Sequence, residues 1–199
     1  MNLDFKKIKV VISDLDGTLL NPEHRISAYT KSVFQKLHEE NYLIIVATGR
    51  HHLDALSIVS QLDCPVYLVT SNGARIHSPE NELLFSLDLK SDAVRSVFDL
   101  EIDPEITTVL FKEDFWQTNQ HNEKLNDFQK ESNYLPEIVD FSSLEDLSGI
   151  KFFFTHDDHQ KLVDLKDKII ENHPDHFNHA FSLPFCLEFM HKSVDKSVA

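Results

Sequence analysis

Asp14 and Asp16 stand one residue apart at the end of a short apolar run, Lys9-Val10-Val11-Ile12-Ser13, and Gly17 and Thr18 follow at once. Two carboxylates held this close repel each other unless a cation or a shared proton relieves them. The pair therefore points to a Mg²⁺ site or to an acid/base pair. Asp and Gly are also ordinary turn residues, and a lone Asp-x-Asp would say little. The apolar run in front and Gly-Thr behind favour the chemical reading. A second stretch, Thr48-Gly49-Arg50, closes another apolar run, Tyr42-Leu43-Ile44-Ile45-Val46-Ala47. At such a place a hydroxyl and the neighbouring backbone amides can hold anionic oxygens, and Arg50 adds charge toward a substrate or salt-bridges on the surface.

These residues need elements to hold them. An apolar run bounded by turn residues reads as a buried parallel strand, and i and i+2 in a strand point to the same side. Asp14 and Asp16 would then leave the carboxyl end of strand one together, where open α/β sheets bind ligands. Ser27 offers an N-cap for a helix carrying Ala28, Val33, Phe34 and Leu37 and stopping near Asn41. Residues 42–47 form a second strand, 51–62 a helix, and 65–70 a third strand running into Ser71-Asn72-Gly73-Ala74. This β-α-β-α-β succession calls for a parallel, doubly wound, Rossmann-like sheet.

The pattern changes after Pro79. Strands are expected at Leu83–Leu89, Thr107–Phe111, Lys151–Thr155 and Phe185–Met190. Helices are expected at Ser91–Leu100, Asn122–Ser132 and His159–Asn172. The fold class is α/β. Residues 1–79 and 188–199 make the core, and 80–187 an inserted second α/β unit.

The chain has 199 residues, 41% of them hydrophobic, and a net charge of −14. It can bury a sizeable core, and its acidity argues against nucleic acid or an anionic membrane as partner. The same charge repels phosphates, so a phosphate site here needs Mg²⁺ and a few placed Lys or Arg residues. Cys64 and Cys186 are too few for a disulfide framework, which suits a reduced cytoplasm. No signal-peptide pattern or membrane-length apolar run is present, so a cytoplasmic protein is expected. His173-x-x-His176-x-x-His179 and His156-x-x-His159 have spacings that suit a transition metal, but solvated loop histidines explain them better. Asp157-Asp158 reads as a helix start.

Asp14-x-Asp16-Gly17-Thr18 after an N-terminal strand resembles the first motif of the haloacid dehalogenase superfamily, and Thr48-Gly49-Arg50 resembles its second. Leu187-Glu188-Phe189-Met190-His191-Lys192-Ser193-Val194-Asp195-Lys196 resembles the third motif of the Cof-type branch, with Ser193 and Ser197 where that branch has glycine. The resemblance spans nearly the whole chain. It implies that Asp14 is the nucleophile, forming an aspartyl phosphate, and that Asp16 is the acid/base. It also implies that Thr48, Gly49 and Lys196 hold the phosphate, that Asn72, Gly73 and Arg50 lie toward substrate, and that Mg²⁺ takes Asp14 and Asp16 as ligands. The implied protein is a Mg²⁺-dependent phosphatase of small phosphorylated metabolites, with an α/β cap setting specificity. A phosphosugar mutase or a non-catalytic remnant are the alternatives. The family's fourth motif, Gly-Asp, is missing: the four glycines precede Thr18, Arg50, Ala74 and Ile150. The expectation is a shortened member with impaired Mg²⁺ binding, whose first strand is left as an exposed edge.

Overall fold

Strand β1 (Val10–Asp14) runs parallel to β2 (Leu43–Ala47), in a register that sets Val10 against Leu43 and Asp14 against Ala47. The computed structural model, in which these elements are seen, describes residues 9–123, 125 and 136–196. Helix α1 (Ala28–Glu39) connects the two strands. The Ser27 side chain caps it by accepting from the Thr30 amide, and Asn41, at φ +61°, turns the chain out of it. Helix α2 (His52–Val59) follows, with a tight turn at Ser60–Leu62, and leads to β3 (Tyr67–Thr70), parallel to β2. Ile44, Val46 and Leu68 from the strands pack with Phe34, Ala55, Val59 and Leu62 from the helical side. This alternation in β2 is what a strand with one covered face requires. β1 is the outer strand of this sheet, and its Val10 and Ile12 are 43% and 65% exposed.

The sheet is mixed. After β3 the chain reverses into β4 (Arg75–His77) and β5 (Leu83–Ser86), both antiparallel, giving the order β1-β2-β3-β4-β5. The change of pattern after Pro79 places residues 80–187, with the strand expected at 83–89, in the inserted unit. Residues 78–82 instead make the hairpin turn that leads from β4 into β5. Ser78 Oγ accepts from the amides of Glu80 and Glu82, the Ser78 amide donates to the Glu82 carbonyl, and Asn81 sits at φ +64°. The chain divides into two compact units, one up to Ser86 together with the segment from Asp195, the other Leu87–Val194. The breaks thus fall after 86 and 194 rather than after 79 and 187.

The second unit contains α3 (Ser91–Phe98), β6 (Thr107–Phe111), β7 (Trp116–Thr118), β8 (Pro136–Ile138), β9 (Lys151–Thr155), α4 (His159–Asn172), β10 (Phe177–Leu183) and β11 (Cys186–His191). Its sheet has the order β10-β11-β9-β6-β7-β8 and is antiparallel except between β7 and β8. One face, with Leu110, Phe152, Phe154, Leu187 and Phe189, packs with Val94 and Val97 of α3 and Leu162, Leu165 and Ile169 of α4. Asp158 caps α4 by accepting from the Gln160 amide, as its place in the sequence suggests. The helix expected over 122–132 lies, apart from Asn122, Glu123 and Leu125, outside the described residues. Among the described residues no helix is long and apolar enough to cross a membrane.

Candidate active site

Asp14 is the last residue of β1, opposite Ala47 at the end of β2, so Thr48 is the next residue out along the neighbouring strand. The Thr48 amide donates to the Val69 carbonyl of β3 at 2.8 Å, and the three parallel strands end together. Parallel strands leave their carboxyl ends on one side, which is why residues 34 positions apart in sequence share one edge. Beyond Asp14 the chain closes a tight turn over Leu15–Leu19, sealed by the Leu20 amide on the Leu15 carbonyl at 3.0 Å. Leu15 and Leu19 anchor the turn in the core, and Gly17 takes φ +71°, a conformation that favours glycine. Between those anchors, Asp16 has extended backbone (φ −77°, ψ 127°) and a half-exposed side chain.

Two ion pairs define the electrostatics. Lys196 Nζ lies 2.9 Å from Asp14 Oδ1, joining residues 182 positions apart. Arg50 grips Asp16 with two hydrogen bonds, Nε to Oδ2 at 2.9 Å and an Nη to Oδ1 at 2.7 Å. The Arg50 hydrogen bonds hold the Asp16 carboxyl below its ordinary pKa. Burial opposes them, while the charges of Arg50, His24 and Lys196 add to the lowering.

The loops that follow β2 and β3 are tied to one another. The Arg50 amide donates to Thr48 Oγ1 at 3.2 Å, the Ser71 amide to the Arg50 carbonyl at 2.8 Å, and the Asn72 amide to the Thr48 carbonyl at 3.1 Å. Ser71, Asn72 and Gly73 have φ of 48°, 59° and 103°. Two non-glycine residues in the left-handed region cost roughly 1 kcal/mol or more each, a strain that clusters at functional sites. A Cβ on Gly49 would lie 2.8 Å from Asn72 Oδ1, so glycine is what lets the Asn72 side chain rest on this loop.

Of the residues singled out from sequence, Asp14, Asp16, Thr48, Gly49, Arg50, Asn72, Gly73 and Lys196 all belong to the first unit, where Lys196 meets Asp14, Arg50 meets Asp16, and Asn72 meets Thr48 and Gly49. Of the two readings offered for Arg50, charge toward substrate or a salt bridge, the structure shows a salt bridge, with Asp16 as the partner. Nothing in the sequence marks that pairing except two charges on adjacent strand ends. Ser193, which stands where the resemblance has glycine, does not take a positive φ, so no strain arises there; Ser197 lies outside the described residues. The oxygen donors of Asp14 and Asp16 suit a hard cation such as Mg²⁺. Among the described residues the two form no group of three acidic, imidazole or thiol ligands. His173 and His176 meet edge to face at 6.0 Å, and the loop histidines join no metal-holding group among the described residues. Sequence reading missed the buried stack of His52 on His77, with ring centroids 4.5 Å apart. Its only signal was the His51-His52 doublet after Arg50.

A family model described as haloacid dehalogenase-like hydrolase matches residues 11–199. A candidate phosphatase of Buchnera aphidicola subsp. Baizongia pistaciae is 32% identical over 188 residues, covering 94% of this chain and 70% of the relative. The HMP-PP phosphatase of Escherichia coli O6:H1 is 33% identical over 186 residues, covering 94% of this chain and 68% of the relative. In fold, the chain is similar to a haloacid dehalogenase-like hydrolase from Bacteroides thetaiotaomicron, with a TM-score of 0.85 and 19% identity. That likeness covers 96% of this chain and 74% of the other.

Proposed function

The chain belongs to the haloacid dehalogenase-like hydrolases, as a phosphoric monoester hydrolase, and from that membership we propose a Mg²⁺-dependent phosphatase of small phosphorylated metabolites working through an aspartyl phosphate at Asp14. The observation that carries the reading is the Lys196–Asp14 contact at 2.9 Å. It sets an ammonium beside the carboxylate that would attack phosphorus, where the two can share one phosphate group.

In the first step a carboxylate oxygen of Asp14 attacks phosphorus as the bond to the leaving oxygen breaks, and Asp16 gives that oxygen its proton. In the second step water attacks the phosphorus of the acyl phosphate, Asp16 takes a proton from it, and inorganic phosphate leaves. Lys196 offsets the charge on the phosphoryl oxygens throughout. The Thr48 hydroxyl and the Gly49 backbone orient them. Mg²⁺ would be held by the Asp14 carboxylate and the Asp16 backbone carbonyl, and when bound it supplies further positive charge to the same oxygens. The second unit, as the cap, would close over substrate and exclude water. Because relatives include a protein named HMP-PP phosphatase, that compound leads the substrates to try, followed by sugar phosphates and nucleotides.

The test is phosphate release from p-nitrophenyl phosphate and from that panel by the parent chain and Asp14→Asn, each with and without Mg²⁺. The expected result is Mg²⁺-dependent release by the parent alone. Equal background rates in all four samples would favour a non-catalytic binding protein. Isomerisation of a sugar phosphate without phosphate release would favour a mutase.

A further inference from the structure

We infer that Arg50 is a positioning residue for Asp16, aiming the carboxyl that exchanges protons with the leaving group and with water, rather than a substrate contact. The inference rests on the phosphatase reading above and deepens it. Both oxygens of Asp16 receive hydrogen bonds from the one guanidinium, at 2.9 and 2.7 Å. A two-point fork fixes the plane of a carboxylate as well as its place, which a single ammonium does not. Asp16 needs such a restraint. It stands on a turn between two buried leucines with its own side chain half exposed, and Arg50 gives it two side-chain hydrogen bonds.

The base of Arg50 is itself fixed. Its amide donates to Thr48 Oγ1 and its carbonyl accepts from the Ser71 amide, so its backbone is part of the loop that would hold phosphate. Through Arg50, the position of the proton-transfer group follows the position of the phosphate-binding loop. Misplacing a reacting group by about 1 Å costs on the order of 100-fold in rate. The effect should therefore be large where proton transfer matters, and small where it does not.

Leaving-group chemistry separates this role from its rivals. An alkoxide leaving from glycerol 2-phosphate is strongly basic and needs a proton as the P–O bond breaks. The p-nitrophenolate leaving from p-nitrophenyl phosphate is weakly basic and departs largely without one. In Arg50→Ala, kcat should fall about 100-fold on the alkyl ester and about 5-fold on the aryl ester, with KM for either changed by less than about 3-fold. Arg50→Lys, which keeps the charge but not the fork, should fall between parent and Arg50→Ala on the alkyl ester. Equal losses on both esters, or a rise in KM alone, would mean that Arg50 grips phosphate or substrate, and would overturn the inference. Unchanged kinetics would reduce the contact to a surface ion pair and overturn it as well. A crystal structure of Arg50→Ala provides a readout free of activity, in which Asp16 should lose its single orientation. An Asp16 that stays in place refutes the inference, even if the parent hydrolyses neither ester and the phosphatase reading has itself failed.

Discussion

Lys151 and Glu188 form an ion pair inside the second unit, and cutting it should cost far more than a surface pair would. Lys151 Nζ lies 2.8 Å from Glu188 Oε2, and the two side chains are only 6% and 10% exposed. They reach each other diagonally across β9 and β11, where Lys151 pairs with Met190 and Phe153 with Glu188. The ammonium also sits 5.3 Å from the Phe111 ring centre. Both charges are thus largely removed from water. Removing one partner of a buried ion pair typically costs about 3–5 kcal/mol, whereas replacing both by apolar residues is often neutral. Trp116 lies on β7 of the same sheet and is the chain's one tryptophan, so its fluorescence during urea unfolding reports on this unit. Lys151→Met and Glu188→Leu should each lose about 3–5 kcal/mol of stability. The double variant should recover to within about 1 kcal/mol of the parent. A double variant that loses the sum of the two single losses would refute the reasoning, because the charges would then be independently solvated.

Lys196→Met should lower kcat for p-nitrophenyl phosphate by about 100- to 1,000-fold, the range found when a donor to developing negative charge is removed. It should leave the melting temperature within about 2 °C, because the pair it makes with Asp14 is about 40% exposed on each side and such pairs add little stability. Retention of activity within threefold of the parent, measured by steady-state kinetics, would contradict the role. The Cys186 thiol is pushed up to about 11 by burial and by the charge of Glu188, so its neutral form persists well above neutral pH. At pH 8 iodoacetamide should modify Cys186 roughly 100-fold more slowly in the folded chain than in urea, as followed by peptide mass spectrometry. Equal rates would show the thiol to be freely ionised.

The parallel core was legible because its apolar runs, Val10–Ile12 and Leu43–Ala47, lead within a few residues into glycine turns at Gly17 and Gly49, and because Ser27 and Asp158 mark helix starts chemically. Helix His159–Asn172 shows helical periodicity in its buried Leu162, Leu165 and Ile169, and strands Thr107–Phe111 and Lys151–Thr155 stand out as short continuous buried runs. Short or solvated strands were not legible. β4 has three residues, β7 and β8 three each, and β10 reads Phe-Asn-His-Ala-Phe-Ser-Leu with most positions open to water, so ladder hydrogen bonds rather than side-chain pattern define them. The unit boundary slipped for the same reason, since β5 belongs to the first sheet through its pairing with β4 while its side chains stay exposed. In the site, sequence identified the residue types and the strand ends they sit on. It did not show that Arg50 turns onto Asp16, nor that Asn72 lies against Gly49, because both depend on how adjacent loops cross.

The central claim is that Asp14 carries the phosphoryl group between substrate and water. Rapid-quench reaction of the full chain with p-nitrophenyl phosphate labelled in its phosphoryl group, in the presence of Mg²⁺, tests it most directly. The account predicts transient protein-bound label that hydroxylamine releases, that maps to the peptide containing Asp14, and that is absent in Asp14→Asn. Turnover with no bound label at any time, or label that persists in Asp14→Asn, would contradict it.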